Sequence, residues 1–171
     1  MARELVDAVD RKDKKIGTIA KDIAHSKGTI HRAAHVFVFN KKGEIFLQKR
    51  SKRKLLAPGL LDSSCAGHVL AGESYQKAAA RELKEELGIK KAKAKFLFKS
   101  LFIKKTRTYH NREIIALFEL DWNGKVKISS EASSGKWIMI AKLRKEIREK
   151  PGAFGSAFLK LFRKFLKLKK A

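Results

Sequence analysis

The chain of 171 residues contains little cysteine, little negative charge and no long apolar run. Its single cysteine, Cys65, excludes an internal disulfide and favours a reducing compartment. No apolar stretch approaches the roughly 20 residues of a membrane-spanning helix, and the N-terminus lacks the apolar core of a signal peptide. We therefore expect a soluble, cytoplasmic protein that forms one domain over residues 1–171, long enough to bury a real core.

Acidic residues are scarce, because 17 Asp and Glu face 41 Lys and Arg, for a formal net charge of +24. A basic surface attracts polyanions and phosphorylated ligands, which makes nucleic acid a candidate partner. A net charge alone does not recognise a particular nucleic acid, and solubility explains the positive charge equally well. Four of the scarce acids fall within residues 67–89, and they are Glu73, Glu82, Glu85 and Glu86.

This segment reads GHVLAGESYQKAAARELKEELGI and predicts a turn followed by a helix. Ser74 suits the N-cap, and Gly88 suits the position just after the last helical turn. Glu82, Glu85 and Glu86 then share one helix face. Carboxylates in that arrangement repel one another unless a cation binds them, and Mg²⁺ or Mn²⁺ takes oxygen ligands from carboxylates, water and phosphate. The pattern indicates a metal-diphosphate site, and pairing with lysines on an ordinary surface helix is the alternative.

The segment resembles the Nudix box, G-x5-E-x7-R-E-U-x-E-E-x-G-U with U an aliphatic residue, at every defined position. The matching residues are Gly67, Glu73, Arg81, Glu82, Leu83, Glu85, Glu86, Gly88 and Ile89. The resemblance implies the Nudix fold, in which a mixed β-sheet lies between α-helices, over about residues 4–168. The order of predicted elements, strands then one helix, more strands and then helices, also favours an α+β sandwich.

By this resemblance, the box is the catalytic centre of a hydrolase. Glu82, Glu85 and Glu86, with the backbone carbonyl of Gly67, would hold Mg²⁺ or Mn²⁺. Such ions neutralise a diphosphate and lower the pKa of a bound water. Glu82 is also a candidate base, and Arg81 a candidate to orient the carboxylates by bidentate contact.

The flanks of the box are similar to type I isopentenyl-diphosphate isomerases and to a related group of Nudix hydrolases. The similar stretches are KDIAHSKGTIHRAAHV, which begins at residue 21, and residues 49–59 followed by SSCAGH. The isomerases hold a metal with histidines and glutamates and hold the diphosphate with basic residues. The matching metal positions are His25, His31, His68 and Glu113, and the matching basic positions are Lys21, Arg50 and Lys54. Taken singly, each histidine is more often a satisfied surface or core residue. For Glu113, a solvent-facing strand end is as good an interpretation as a metal ligand.

The chain departs from the isomerase pattern at the catalytic acid. The isomerase acid is a cysteine just before the Gly-His pair, and this position aligns with Ala66. Cys65 lies one residue before it. Because neighbouring side chains on a strand point to opposite faces, Cys65 should point away from the site. A second metal-binding glutamate falls on Asn111, and no residue near Phe154–Phe158 matches the tryptophan that shields the isomerase carbocation. His35 and His110 match no family position and are expected to be structural.

The complete box and the missing isomerase acid predict a Mg²⁺-dependent Nudix hydrolase. Its substrate would be a diphosphate linkage in a nucleoside diphosphate derivative or another small organic diphosphate. The alternatives are an isopentenyl-diphosphate isomerase and an RNA-binding or RNA end-processing protein. The sequence is also compatible with a homodimer.

The last predicted element is a basic amphipathic helix over Phe154–Leu168, whose phenylalanines and leucines recur at helical spacing. We expect this apolar stripe to complete the core, and contact with an anionic membrane is the alternative. The other predicted elements are strands at Leu5–Val9, Ile16–Ile19, Ala34–Phe39, Glu44–Lys49, Phe96–Ile103, Glu113–Leu120 and Lys136–Ile140, and a helix at Ala141–Lys150.

Overall fold

A computed structural model of the chain describes residues 3–53, 57–107 and 109–170. Its helices are α1 (Lys21–Lys27), α2 (Tyr75–Leu87), α3 (Ile140–Glu149) and α4 (Ser156–Leu168), with a 3₁₀ turn at Pro151–Ala153. Its strands are β1 (Leu5–Val9), β2 (Lys15–Ala20), β3 (His31–Phe39), β4 (Glu44–Arg50), β5 (Leu61–Asp62), β6 (Cys65–His68), β7 (Lys95–Lys105), β8 (His110–Asp121) and β9 (Ala132–Met139). No helix among these residues is long and apolar enough to span a membrane.

The main sheet is mixed, with the order β5-β4-β3-β8-β7. Strand β3 runs parallel to β8, and its other partners, β4 and β6, are antiparallel to it. Strand β9 pairs with β4, whereas β1 and β2 form a separate antiparallel hairpin. The predicted α+β class with a mixed sheet is confirmed.

The two faces of the sheet bury two separate apolar cores. On β3, Phe37 points to one face and packs with Phe158 and Phe162 of α4, whereas Val36 points to the other face and packs with Leu83 of α2. This alternation follows from the two-residue repeat of a strand. Helices therefore cover both faces, as the Nudix resemblance implied.

The helix α2 has the ends that the sequence predicts. The Ser74 hydroxyl accepts a hydrogen bond from the Lys77 amide, and Gly88 follows the helix with φ +67°. Glycine adopts this left-handed backbone conformation at little energetic cost. The Gly88 N–H donates hydrogen bonds to the carbonyls of Leu83 and Lys84 in the last turn of the helix. The box glutamates therefore lie on a helix with the predicted boundaries.

The prediction that the last helix begins at Phe154 is wrong, because α4 begins at Ser156. Phe154 is extended, and the Gly155 amide donates a hydrogen bond of 2.8 Å to the Leu61 carbonyl, which ties this segment to the edge of β5. The apolar side of α4 is buried in the core, as expected, through Phe158, Leu161, Phe162 and Phe165.

The strand predicted from Ala34 instead begins three residues earlier, at His31. Its first residues pair with β8, and this pairing is not visible in the local pattern. Helix α1, which follows β2 directly, was not predicted either. Both differences matter, because His25 lies on α1 and His31 on the added part of β3.

Candidate active site

A cleft with a volume of about 340 Å³ opens beside the first residues of the parallel strands β3 and β8. The box helix α2 contributes its acidic face to the cleft, α1 contributes one wall, and the start of α4 contributes another. Among the predicted site residues, those that line it are Lys21, His25, Arg50, Gly67, His68, Arg81, Glu82, Glu85, Glu86 and Glu113. Lys54 lies outside the described residues.

The carboxylate of Glu82 enters the cleft directly over Gly67. A Cβ on Gly67 would stand 1.8 Å from Glu82 Oε1, so the box requires glycine here for space. Glu82 lies on α2, which packs against the opposite face of the sheet, and the missing side chain of Gly67 lets its carboxylate pass through to the cleft. The first glycine of the box motif and the glutamate that follows its arginine therefore lie next to each other.

Arg81 organises the acidic residues around this point. Its Nε and Nη2 donate to the two carboxylate oxygens of Glu73 at 3.1 and 3.0 Å, and Nη2 also donates to the His68 carbonyl at 2.8 Å. Its Nη1 contacts Glu82 at 2.6 Å and Glu85 at 3.3 Å. Glu73 also accepts a hydrogen bond from the Leu70 amide, so it fastens the turn to the helix.

Glu86, the last carboxylate of the box, is held by groups of the sheet. Its Oε2 accepts a hydrogen bond of 2.8 Å from Gln48 Nε2 and lies 3.4 Å from the Ala66 amide. Glu82 and Glu86 are both buried, whereas the Glu85 side chain is 56% exposed. Burial raises the pKa of Glu82, and the adjacent Arg81 guanidinium partly offsets this effect.

Three histidines and Glu113 form a compact cluster at this cleft, where His25, His68 and Glu113 belong to the lining and His31 is fully buried behind them. Glu113 Oε1 lies 3.6 Å from His31 Nε2 and 3.3 Å from His68 Nε2, and His68 Nε2 lies 3.0 Å from His25 Nε2. The ligand atoms of these four residues all lie within 4.8 Å of one another. Among the described residues, the box carboxylates do not form so compact a group.

The cluster fits a metal ion by its donors. The buried atoms His25 Nδ1 and His31 Nε2 have no hydrogen-bond partner, a costly arrangement for polar atoms. Burial, and then the neighbouring imidazoles, lower the pKa of His25 to about 3, which keeps it neutral. Burial alone would raise the pKa of Glu113, but its contacts with His31 and His68 hold this pKa well below the usual value. A neutral imidazole, such as that of His25, and an ionised carboxylate, such as that of Glu113, are forms that bind metals.

Comparison with known proteins assigns the family. The family model of the NUDIX domain matches residues 29–158. The chain is a Nudix protein. The box motif and the fold therefore both point to the family that the sequence resembles.

Its curated relatives include both isomerases and hydrolases. It is 33% identical to isopentenyl-diphosphate Delta-isomerase 2 of Photorhabdus laumondii over 162 residues. The aligned region covers 92% of this chain and 90% of the relative. It is 38% identical over 102 residues to an uncharacterised Nudix hydrolase of Streptomyces coelicolor, which covers 59% and 56%. Among solved structures, the Deinococcus radiodurans protein DR0079 is similar with a TM-score of 0.78, at 26% identity over 94% of this chain and 98% of that one. The predicted kinship to the isomerase-like branch is confirmed.

In this Nudix protein, no cysteine lines the cleft at the position of the isomerase acid. Ala66 lines the cleft, whereas Cys65 is 1% exposed and packs in the core beneath α2. Burial raises the pKa of the Cys65 thiol well above its usual value, and Glu86 and Glu82 add to this shift. Asn111 lies in the cleft with its Oδ1 buried and without a partner.

Two of the predicted phosphate-binding residues, Lys21 and Arg50, lie in ion-pair contact with acids. The Lys21 ammonium contacts Glu4 and holds the pKa of that carboxyl below its usual value. Arg50 Nη1 lies 4.0 Å from Asp62 Oδ2. Both basic side chains line the cleft beside the box.

Several other cleft residues were not predicted from the sequence. Tyr109 stacks on the His25 ring with centroids 4.5 Å apart, and Glu131 lines the cleft beside Glu86. His35, expected to be structural, also lines the cleft, whereas His110 does not belong to its lining. The alternation of β3 could have identified His35, because it shares a face with His31. No local signal marks Tyr109 or Glu131.

Proposed function

We propose that this Nudix protein is a Mg²⁺- or Mn²⁺-dependent hydrolase. It would cleave a diphosphate linkage in a nucleoside diphosphate derivative or another small organic diphosphate. The observation that carries the proposal is the entry of Glu82 over Gly67 into a cleft that also holds Glu85, Glu86 and Arg81. A complete acidic box in one cleft provides what phosphoanhydride hydrolysis requires, namely charge neutralisation and an activated water.

Two groups of residues would hold divalent ions. The box carboxylates and the Gly67 carbonyl offer only oxygen, which suits Mg²⁺ or Mn²⁺. The cluster of His25, His31, His68 and Glu113 is rich in imidazole, which favours a transition metal such as Mn²⁺. When bound, such ions neutralise the diphosphate oxygens and lower the pKa of a coordinated water.

The protein groups would supply orientation and proton transfer. Burial raises the pKa of Glu82, which suits it to take a proton from the attacking water. Arg81 keeps Glu82 and Glu85 in place through its contacts of 2.6 and 3.3 Å. Lys21, Arg50 and Lys54 would bind the non-bridging phosphate oxygens, which requires Lys21 to exchange Glu4 for the substrate.

An isomerase function is the second candidate, since the cluster of His25, His31, His68 and Glu113 is shared with the isomerase pattern. Isomerisation needs an acid beside the Gly-His pair, and here that position is Ala66. Cys65 packs in the core with a raised thiol pKa and offers no proton to the cleft. This arrangement favours hydrolysis.

The test is a screen of the purified protein with Mg²⁺ and with Mn²⁺. The panel contains nucleoside diphosphate sugars, dinucleoside polyphosphates, oxidised nucleotides, capped RNA and isopentenyl diphosphate. Cleavage by the wild type, followed by chromatography of the phosphorylated products, supports the proposal if it is lost in Glu85→Gln and kept in Cys65→Ser. Formation of dimethylallyl diphosphate that disappears in Cys65→Ser would support the isomerase instead.

A further inference from the structure

Part of the cleft lining, which we call the side pocket, consists of Ala33, His35, Asp62, Ala66 and Ser156. His35 on β3 is directly opposite Ala66 on β6 in the antiparallel register, so both side chains point to the same face of the sheet. A substrate group next to Ala66 therefore also lies next to His35. The organic part of a diphosphate bound at the box would enter here.

The side pocket contains two buried polar side chains, His35 at 6% exposure and Asp62 at 8%. One residue, Ser63, orients both of them. Its amide donates to Asp62 Oδ1 at 2.8 Å, and its hydroxyl lies 2.8 Å from His35 Nδ1. Because Ser63 engages Nδ1, a ligand would meet the other ring nitrogen of His35, Nε2.

The second oxygen of Asp62 has Arg50 and Gly155 as neighbours. Arg50 Nη1 lies 4.0 Å from Oδ2, an ion-pair contact that is too long for a hydrogen bond and leaves Oδ2 able to accept one from a ligand hydroxyl. A Cβ on Gly155, at the start of α4, would lie 2.7 Å from the same oxygen. A glycine at that position leaves the carboxylate its space between β5 and α4, where it lines the cleft.

A hydrocarbon group in this pocket would displace water from a carboxylate and an imidazole and would offer them no hydrogen bond in return. That desolvation is unfavourable for each group. A hydroxyl group, in contrast, donates to a carboxylate oxygen and pairs with an imidazole nitrogen. The pocket chemistry therefore discriminates between hydrocarbon and hydroxylated organic groups.

We propose that Asp62 and His35 form a specificity subsite that selects diphosphates whose organic group carries hydroxyls, such as a sugar, over diphosphates of hydrocarbons. The inference rests on the proposed function, since it places the diphosphate at the box. It adds the class of the group that the diphosphate carries, and it separates this chain from its isomerase relatives by substrate.

The test compares two five-carbon probes, ribose 5-diphosphate and isopentenyl diphosphate. Their dissociation constants are measured by calorimetry with Mg²⁺ in a Glu85→Gln background, in which turnover should be slow. We expect ribose 5-diphosphate to bind at least about tenfold more tightly, the usual weight of a hydrogen bond to a charged group. Equal affinities, tighter binding of isopentenyl diphosphate, or binding of neither probe would overturn the proposal.

Variants locate the preference in the side pocket. Asp62→Asn should weaken ribose 5-diphosphate by about tenfold and leave isopentenyl diphosphate within about twofold. His35→Gln should reduce the same ratio and serves as a second variant if Asp62→Asn does not fold. Asp121→Asn, an exposed acid at the far end of β8, is the matched control and should keep the ratio. An equal loss for both probes in Asp62→Asn and in His35→Gln would show that these residues are only structural.

A failure of the subsite and a failure of the proposed function give different results. Hydrolysis is measured separately with the wild-type protein and the same two probes. A clear affinity preference without phosphate release would refute the hydrolase and keep the subsite. Phosphate release without an affinity preference would keep the hydrolase and refute the subsite.

Discussion

Replacing Gly67 with alanine would place a methyl group 1.8 Å from Glu82 Oε1 and 2.1 Å from its carboxyl carbon. Carbon and oxygen atoms do not approach so closely, so the carboxylate must move by about 1 Å or more. The atoms in the way belong to the end of a side chain, which can rotate without displacing the sheet. The substitution therefore changes the position of Glu82 more than it changes the fold.

The expected loss of activity follows from that displacement. A misplacement of about 1 Å at a reacting group can cost about 100-fold in rate, and we expect kcat to fall by this order. The contact of 2.6 Å between Arg81 and Glu82 is also disturbed, which should lower the free energy of unfolding by about 1–2 kcal/mol. For a chain of this length such a change lowers Tm by about 2–8 °C.

The assay measures formation of the phosphorylated cleavage products under saturating substrate, together with a thermal melt. Gly17→Ala is the control, because a Cβ at Gly17 meets no atom within 4 Å. This control should keep kcat within about twofold, as surface substitutions usually do. A Gly67→Ala protein that folds and retains wild-type kcat would refute the role of Glu82 in the cleft.

Four further predictions address the box, the histidine cluster, the last helix and the basic loop. Glu85→Gln should lower kcat by about 100-fold or more with little change in Tm, because Glu85 is half exposed and its charge serves the metal. Mn²⁺ at 100 times its Kd should stabilise the wild type by about 2.7 kcal/mol, and chelation should reverse this gain. His31→Asn should remove the part of the gain that is due to the histidine cluster. An unchanged response to the metal in that variant would contradict the role of His31 as a ligand. Phe158→Ala should cost about 3–5 kcal/mol in a urea titration, since this ring is fully buried, whereas a helix reserved for membranes would show almost no change. Lys54→Ala should raise KM more than it lowers kcat if Lys54 only binds phosphate, and an equal loss of kcat and kcat/KM would assign it to the transition state instead.

The parts that the sequence predicted well depend on short stretches of chain. Ser74 and Gly88 end the box helix as expected, because caps involve only neighbouring backbone groups. The opposite orientations of Cys65 and Ala66 follow from strand alternation alone. The Nudix box was recognised for the same reason, since its positions lie within 23 consecutive residues.

The parts that were missed depend on pairing between distant segments. His31 and Glu113 meet because β3 and β8 are parallel and in register, although 82 positions separate them. Tyr109 reaches His25 through the end of the β7–β8 hairpin, and no periodicity marks this contact. The histidine cluster was suggested by resemblance to a family, and its compactness could not be derived from spacing.

By itself, the sequence determined the family, the class of fold and the acidic face of the box helix, because each of these depends on residues close together in the chain. The tertiary structure decided which residues share the cleft. It brought Glu82 over Gly67, gathered three histidines and Glu113, and placed His35 and Asp62 beside them. Register between strands sets these neighbours, and register depends on the packing of the whole sheet rather than on any local pattern.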